Sequence, residues 1–299
     1  MKTKYQLRSS SLFAIALLGA SNFAQADEHR NAYGITMVDI PAGHFLMGSC
    51  KLTDDLIEMN KKRAYLGQAP LAPECGSPDP EASTDETPQH EVRVQAFQIG
   101  KTEVTVGQYK AYLIATGQTN QLNSGFMDFN NQGDDAPVIY ISWLDIQKFI
   151  AWLNQVDGGG WRLPSEAEWE YACRANQATT YCGSDSLDRV AWYDENSGLS
   201  RAPHPVAQKA PNAFGLYDMS GNAWEFVQDA WRIRYLDVPT DGTAVTPEMA
   251  NDPQRRMTRG GSIQDNARHA RAAYRREKSM EVVYVDTGFR LARTLLPSR

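Results

Sequence analysis

The sequence is short of metal-binding motifs. Its five histidines, His29, His44, His90, His204 and His269, are scattered, and no H-x-x-x-H run joins any two of them. Its four cysteines show no C-x-x-C spacing, which argues against a four-thiolate metal site. No apolar run approaches the ~20 residues that a helix needs to cross a bilayer. No period of roughly 20–50 residues recurs, so a solenoid is excluded. Positive charge is not in excess either: the formal net charge is −6. An acidic chain is a poor partner for nucleic acid or an anionic membrane, and a better one for cations.

What is present is a globular composition. Of 299 residues, 42% are hydrophobic, enough to bury a sizeable core. Residues 1–26 read as a secretory signal: Lys2, Lys4 and Arg8 precede the apolar run "LFAIALLGA" and an Ala24-Gln25-Ala26 cleavage motif. Loss of this segment would remove three positive charges and make the mature chain more acidic. The sequence therefore predicts a periplasmic protein with no membrane span. No low-complexity linker divides the remainder, so residues 27–299 read as one domain of α+β type with its core at about 31–296.

In an exported chain four cysteines suggest disulfides. Three pairings are open; the local one, Cys50 with Cys75 and Cys173 with Cys182, is preferred. Residues 50–88 form a polar, proline-rich insertion. Its centre, "LIEMNKKRAYL", could make a short helix, but a solvated loop tied by a disulfide is the favoured reading. "YGITMVDIPAGHFLMGS" reads as a hairpin turning at Pro41-Ala42-Gly43, and "HEVRVQAFQIG" alternates as one strand. Three helices announce themselves by capping boxes: Thr105 with Gln108, Ser142 with Asp145, and Ser165 with Glu168. The second carries an apolar stripe of Trp143, Ile146, Phe149, Ile150 and Leu153. Beyond Asn176, short strands and glycine turns predominate.

The segments "MVDIPAGHFLMGS", "DETPQHEVRV", "KTEVTVGQYKAYL", "WRLPSEAEWEYACRA", "NAFGLYDMSGNAWEFVQD", "RGGS" and "DTGFRLAR" follow one another in an order and spacing that resemble the formylglycine-generating, or sulfatase-modifying factor, family. The resemblance implies a C-type-lectin-like α+β fold with little regular secondary structure and bound structural calcium. Residue by residue it places calcium ligands at Asp218, Gly221, Ala223 and Glu225. Two carboxylates with two backbone carbonyls suit a hard cation. No counterpart of the family's second calcium site can be assigned, although "WYDENSG" lies nearby.

The family's oxidases bind copper(I) through two cysteines that follow the "GGS" turn, since soft thiolate suits that ion. Here those positions are Asp265 and Ala270, so formylglycine formation is not expected, and neither copper nor iron is. What remains is a candidate pocket of Ser262, Asp265, His269, Tyr274 and Arg275. Asp265 and His269, four residues apart, could form an acid/base pair or ligate one metal; a surface hydrogen bond is the preferred reading. Arg268, Arg271, Arg275 and Arg276 could floor a site for a carboxylate or peptide, but Arg271 and Arg275 are better read as ties to local acids. Two functions follow. One is a binding or regulatory accessory protein with a protein or peptide partner in the cell envelope, for which the resemblance offers control of a phosphorylation cascade around type VI secretion. The other is a periplasmic oxidoreductase with a rebuilt site, as in siderophore maturation.

Overall fold

The chain opens with three short strands, β1 (Glu28–Arg30), β2 (Thr36–Ile40) and β3 (Gly43–Met47). The computed structural model describes residues 27–51, 54–69, 75, 78–123, 125–199 and 201–295; the expected export signal and residues 296–299 lie outside them. After β3 come α1 (Asp54–Tyr65), β4 (His90–Val94) and β5 (Phe97–Gly100). The expected hairpin does not form. β2 pairs with β1 and β5, whereas β3 pairs with β4. The expected single strand over 90–100 is likewise split, β4 joining β3 and β5 joining β2. Burial follows the pairing: β2, inside its sheet, hides residues on both faces, while β3 alternates and is covered on one. The insertion also departs from expectation, because α1 is a twelve-residue helix rather than a loop. Its last turn holds Lys62 and Arg63, favourable at the negative end of the helix dipole.

The capped helices follow as α2 (Val106–Ala115), the short α3 (Gly125–Phe129) and α4 (Trp143–Val156), then β6 (Trp161–Arg162) and α5 (Glu166–Arg174). All three capping boxes are present. The α4 stripe is buried throughout and packs with Tyr109, Tyr112 and Leu113 of α2. Around α5 a second core gathers Trp169, Tyr171 and Ala172 against Val92, Val94 and Phe97.

The remainder is α6 (Leu187–Val190), β7 (Trp224–Trp231), β8 (Asp252–Arg259), β9 (Arg276–Ser279), β10 (Thr287–Phe289) and β11 (Ala292–Thr294). Among the described residues the strands form a five-stranded sheet in order β1-β2-β5-β11-β6, a four-stranded sheet β10-β7-β8-β9, and the pair β3-β4. Disulfides join Cys50 to Cys75 and Cys173 to Cys182.

Candidate functional site

β8 delivers the "RGGS" turn. Its last residue, Arg259, is fully buried, pairs with Glu170 at 2.5 Å and donates to the carbonyls of Ala272, Ala273 and Tyr274. One guanidinium thereby fixes the returning chain. At Gly261 the backbone has φ 75°, and an added Cβ would lie 2.9 Å from the His269 carbonyl oxygen, so only glycine allows the two arms of this loop to close. A 3-10 turn at Ala267–Ala270 follows, with the Asn266 side chain accepting from the Arg268 N–H.

This folding brings Ser262, Asp265, His269 and Tyr274 together. The Ser262 hydroxyl donates to Oδ2 of Asp265, and the Trp224 indole N–H donates to the same oxygen at 2.7 Å. Oδ1 lies 3.2 Å from Nδ1 of His269, without the alignment of a hydrogen bond, and 3.5 Å from Nη1 of Arg276. The Tyr274 ring stands edge-on to His269 at 4.7 Å. Burial lowers the His269 pKa, and the cations Arg276, Arg268 and Arg271 lower it further against the pull of Asp265. Burial and these cations favour the neutral imidazole. Burial also raises the Tyr274 hydroxyl above its usual range. The arrangement can hold a proton or accept a hydrogen bond, but its carboxylate is already engaged and it contains no thiol.

Arg275 is not in this group. It points into the protein, with two hydrogen bonds to Glu166 at 2.7 and 2.8 Å and its guanidinium 4.0 Å from the Tyr235 ring. Arg271 is similarly spent on Glu86 and Asp79. In their place the structure brings in Trp224, Arg276 and Lys278. Lys278 is buried beside Asp286 at 2.6 Å and lies 5.7 Å from the Trp224 ring. Arg276 and Lys278 are two apart on β9. Strand alternation would have paired them, had β9 been legible as a strand.

The segment "DMSGNAWE" lies directly against this site. Gly221 has φ 76°, and an added Cβ would meet the Trp192 carbonyl oxygen at 2.2 Å, so glycine is required where the chain passes Trp192. Oδ1 of Asp218 and Oε2 of Glu103 are buried without hydrogen-bond partners. Burial, with the charge of Glu225, raises the Asp218 carboxyl to about 6; burial and then Asp218 raise Glu103 well above the carboxylate range. Two buried, unpartnered carboxylate oxygens suit a hard cation. Glu225 suits one less, because Arg290 (2.7 Å) and the Trp169 indole (2.6 Å) occupy both of its oxygens. Among the described residues, no three His, Cys, Asp or Glu side chains converge as a metal cage. The side chains that could hold a cation here are Asp218 and Glu103; the carbonyls of Gly221 and Ala223 are those the resemblance implies. Glu103 lies far from the motif in sequence, and no local signal marks it.

Every cysteine of the described residues is in a disulfide, none of them at the "GGS" turn. No helix of these residues is long and apolar enough to cross a membrane. The formylglycine-generating enzyme of Bos taurus is 30% identical over 180 residues, covering 55% of this chain and 46% of that protein, so the chain spans about half the length of that relative. The serine/threonine-protein kinase pkn1 of Chlamydia pneumoniae is 27% identical over 236 residues, 72% of this chain and 36% of the kinase. The structure of PvdO from Pseudomonas aeruginosa superposes with a TM-score of 0.71 at 27% identity, covering 91% of this chain and 99% of that one. The sulfatase-modifying factor enzyme 1-like domain matches residues 22–295, and the chain belongs to that family.

Proposed function

We propose that this chain is an exported member of its family that does not generate formylglycine and works by binding a protein or peptide in the cell envelope. One observation carries the reading. Where the family's copper-binding thiolates would stand, the chain has Asp265 and Ala270. The Asp265 carboxylate is occupied by Ser262 and Trp224, and Ala270 is buried. The two disulfides support an oxidising compartment. The likeness to part of a serine/threonine-protein kinase supports a setting among protein partners; control of a phosphorylation cascade at type VI secretion is the setting that the family resemblance offers. The test is anaerobic Cu(I) titration of the purified protein, followed by incubation with a cysteine-containing sulfatase peptide in air. No stoichiometric Cu(I) binding and no aldehyde product are expected. An aldehyde would overturn the reading.

A second reading, a periplasmic oxidoreductase with a rebuilt site, draws on the contact of Asp265, His269 and Tyr274 and on the likeness to PvdO. Elemental analysis separates the two. A redox metal that is lost on Asp265→Ala/His269→Ala would favour the second, and calcium alone the first.

A further inference from the structure

Five large apolar side chains stand open to solvent around the start of α4: Phe129 (39% exposed), Leu144 (38%), Val282 (47%), Val283 (36%) and Val285 (38%). They belong to one surface. The Tyr140 N–H donates to the Tyr284 carbonyl at 2.9 Å, and the Leu144 N–H donates to that of Met280 at 3.3 Å, so residues 280–284 lie antiparallel beside 140–144. The Phe129 ring stacks on Tyr140 at 4.3 Å. The surface is also held rigid. The Asn130 side chain both accepts from the Ile139 N–H and donates to its carbonyl, each at 2.9 Å, locking α3 against the strand-like run that follows.

Tyr140 sits at φ 59°, a left-handed conformation that is rare for an aromatic residue. Such conformations persist where surrounding structure enforces them, and they gather at ligand clamps. Here the conformation sets the half-buried Tyr140 ring against Phe129. The charges around the surface are unbalanced. Asp145 is paired with Lys148 and Asp286 with Lys278, and the cation over Trp143, Arg256, is buried; Asp128 and Glu281 are exposed and, among the described residues, form no ion pair.

We propose that this surface docks an apolar, basic segment of a partner protein. The inference rests on the binding reading above and names the partner's chemistry. Contiguous exposed apolar groups mark interaction sites, and the two unpaired carboxylates set the sign of the partner's charge. A second copy of this chain would bring the same acids face to face across a two-fold axis. An anionic membrane would be repelled by the acidic chain. Beneath this surface the buried Lys278 lies 4.7 Å from the Tyr284 ring and 5.7 Å from the Trp224 ring.

The experiment uses the mature protein and a fluorescent peptide alternating leucine and lysine, with a lysine–serine peptide as control. Fluorescence anisotropy should show salt-sensitive binding of the leucine peptide. Val282→Ser/Val283→Ser should weaken it about tenfold, since two half-exposed apolar side chains are lost. Asp128→Asn/Glu281→Gln should weaken it less and flatten its salt dependence. Unchanged melting of both variants shows that they fold. Equal binding by wild type and the valine variant, or no preference over the control peptide, overturns the proposal. So does valine-dependent self-association in sedimentation, or valine-dependent binding to phosphatidylglycerol vesicles. None of these results depends on copper or aldehyde formation, so failure here and failure of the binding reading are separately visible.

Discussion

The Trp224 indole donates its N–H to Oδ2 of Asp265 at 2.7 Å, and this bond ties the "DMSGNAWE" segment to the loop after "RGGS". Three more bonds run between the same segments: Gly221 N–H to the Gly260 carbonyl, Ile263 N–H to the Asn222 carbonyl, and the Ser220 hydroxyl to the Ala270 carbonyl. The candidate cation ligands and the candidate pocket are thus two sides of one laced unit. Asp265 serves that unit as an acceptor, at the position that by resemblance would carry a thiolate in the family's oxidases.

Asp265→Ala is therefore expected to destabilise the fold. Trp224 is fully buried, and its N–H would lose its acceptor. Leaving a buried donor unpaired costs about 1–3 kcal/mol. Asp265→Asn, which keeps an oxygen, should cost less. Urea denaturation of the two variants checks this; an alanine variant as stable as wild type would show that the bond contributes nothing.

Restoring sulfur tests the residue correspondence itself. Asp265→Cys/Ala270→Cys should gain Cu(I) binding close to one equivalent in anaerobic titration, because soft thiolates favour that ion. Ala270 is buried, so the small cysteine side chain is the substitution it tolerates best. A double variant that folds and still binds no Cu(I) would mean that the two positions do not face each other.

What could be read from sequence was local. The capping boxes at Thr105, Ser142 and Ser165 depend on residues three apart, and each forms. The hairpin at Pro41 failed because strand partners are chosen by distant burial: β2 finds β5, and β3 finds β4. Glu103 was invisible because its neighbours Asp218 and Asn222 come from far along the chain. Arg271 and Arg275 are ties to buried acids, as their place in "ARAAYRR" suggested, whereas the exposure of Arg276 follows from the start of β9.

Acid should release the insertion from the core. Burial pushes the Glu86 carboxyl up, but the hydrogen bond and charge of Arg271, with help from Ser49 and Ser83, hold it below the usual range. A lowered carboxyl stabilises the fold fully above its unfolded value, about 4.3, and that contribution is lost as pH falls through the folded value. Glu86→Gln should lower Tm at pH 7 and flatten the acid limb of the Tm–pH curve. Parallel acid limbs in the two proteins would show that this pair is not a source of the pH dependence.

Calcium should raise Tm in a concentration-dependent way, as binding to the folded state alone requires. Asp218→Asn and Glu103→Gln should abolish that shift, since theirs are the carboxylate oxygens without partners. Glu225→Ala should behave differently. It strands the buried Arg290 and so lowers Tm with or without calcium. Calcium titrations followed by differential scanning fluorimetry make the comparison. A full shift retained in Asp218→Asn would place the cation elsewhere.

Two adjacent arginines should give opposite results. Arg275 is buried, forks onto Glu166 and covers the Tyr235 ring. Its removal leaves the buried Glu166 carboxylate with the Tyr235 hydroxyl at 3.2 Å and Arg259 at 3.6 Å, and breaking such a pair costs about 3–5 kcal/mol. Arg275→Lys should recover only part of this, because an ammonium lacks the planar fork that meets both Glu166 oxygens in parallel. Arg276 is half-exposed and its contact with Asp265 is long, 3.5 Å. Arg276→Ala should change stability by no more than about 0.5 kcal/mol. If Arg276 faces a ligand, its loss should appear in binding and not in Tm. Equal Tm losses in the two alanine variants would mean that Arg276 is a structural tie like its neighbour, and would remove it from the candidate site.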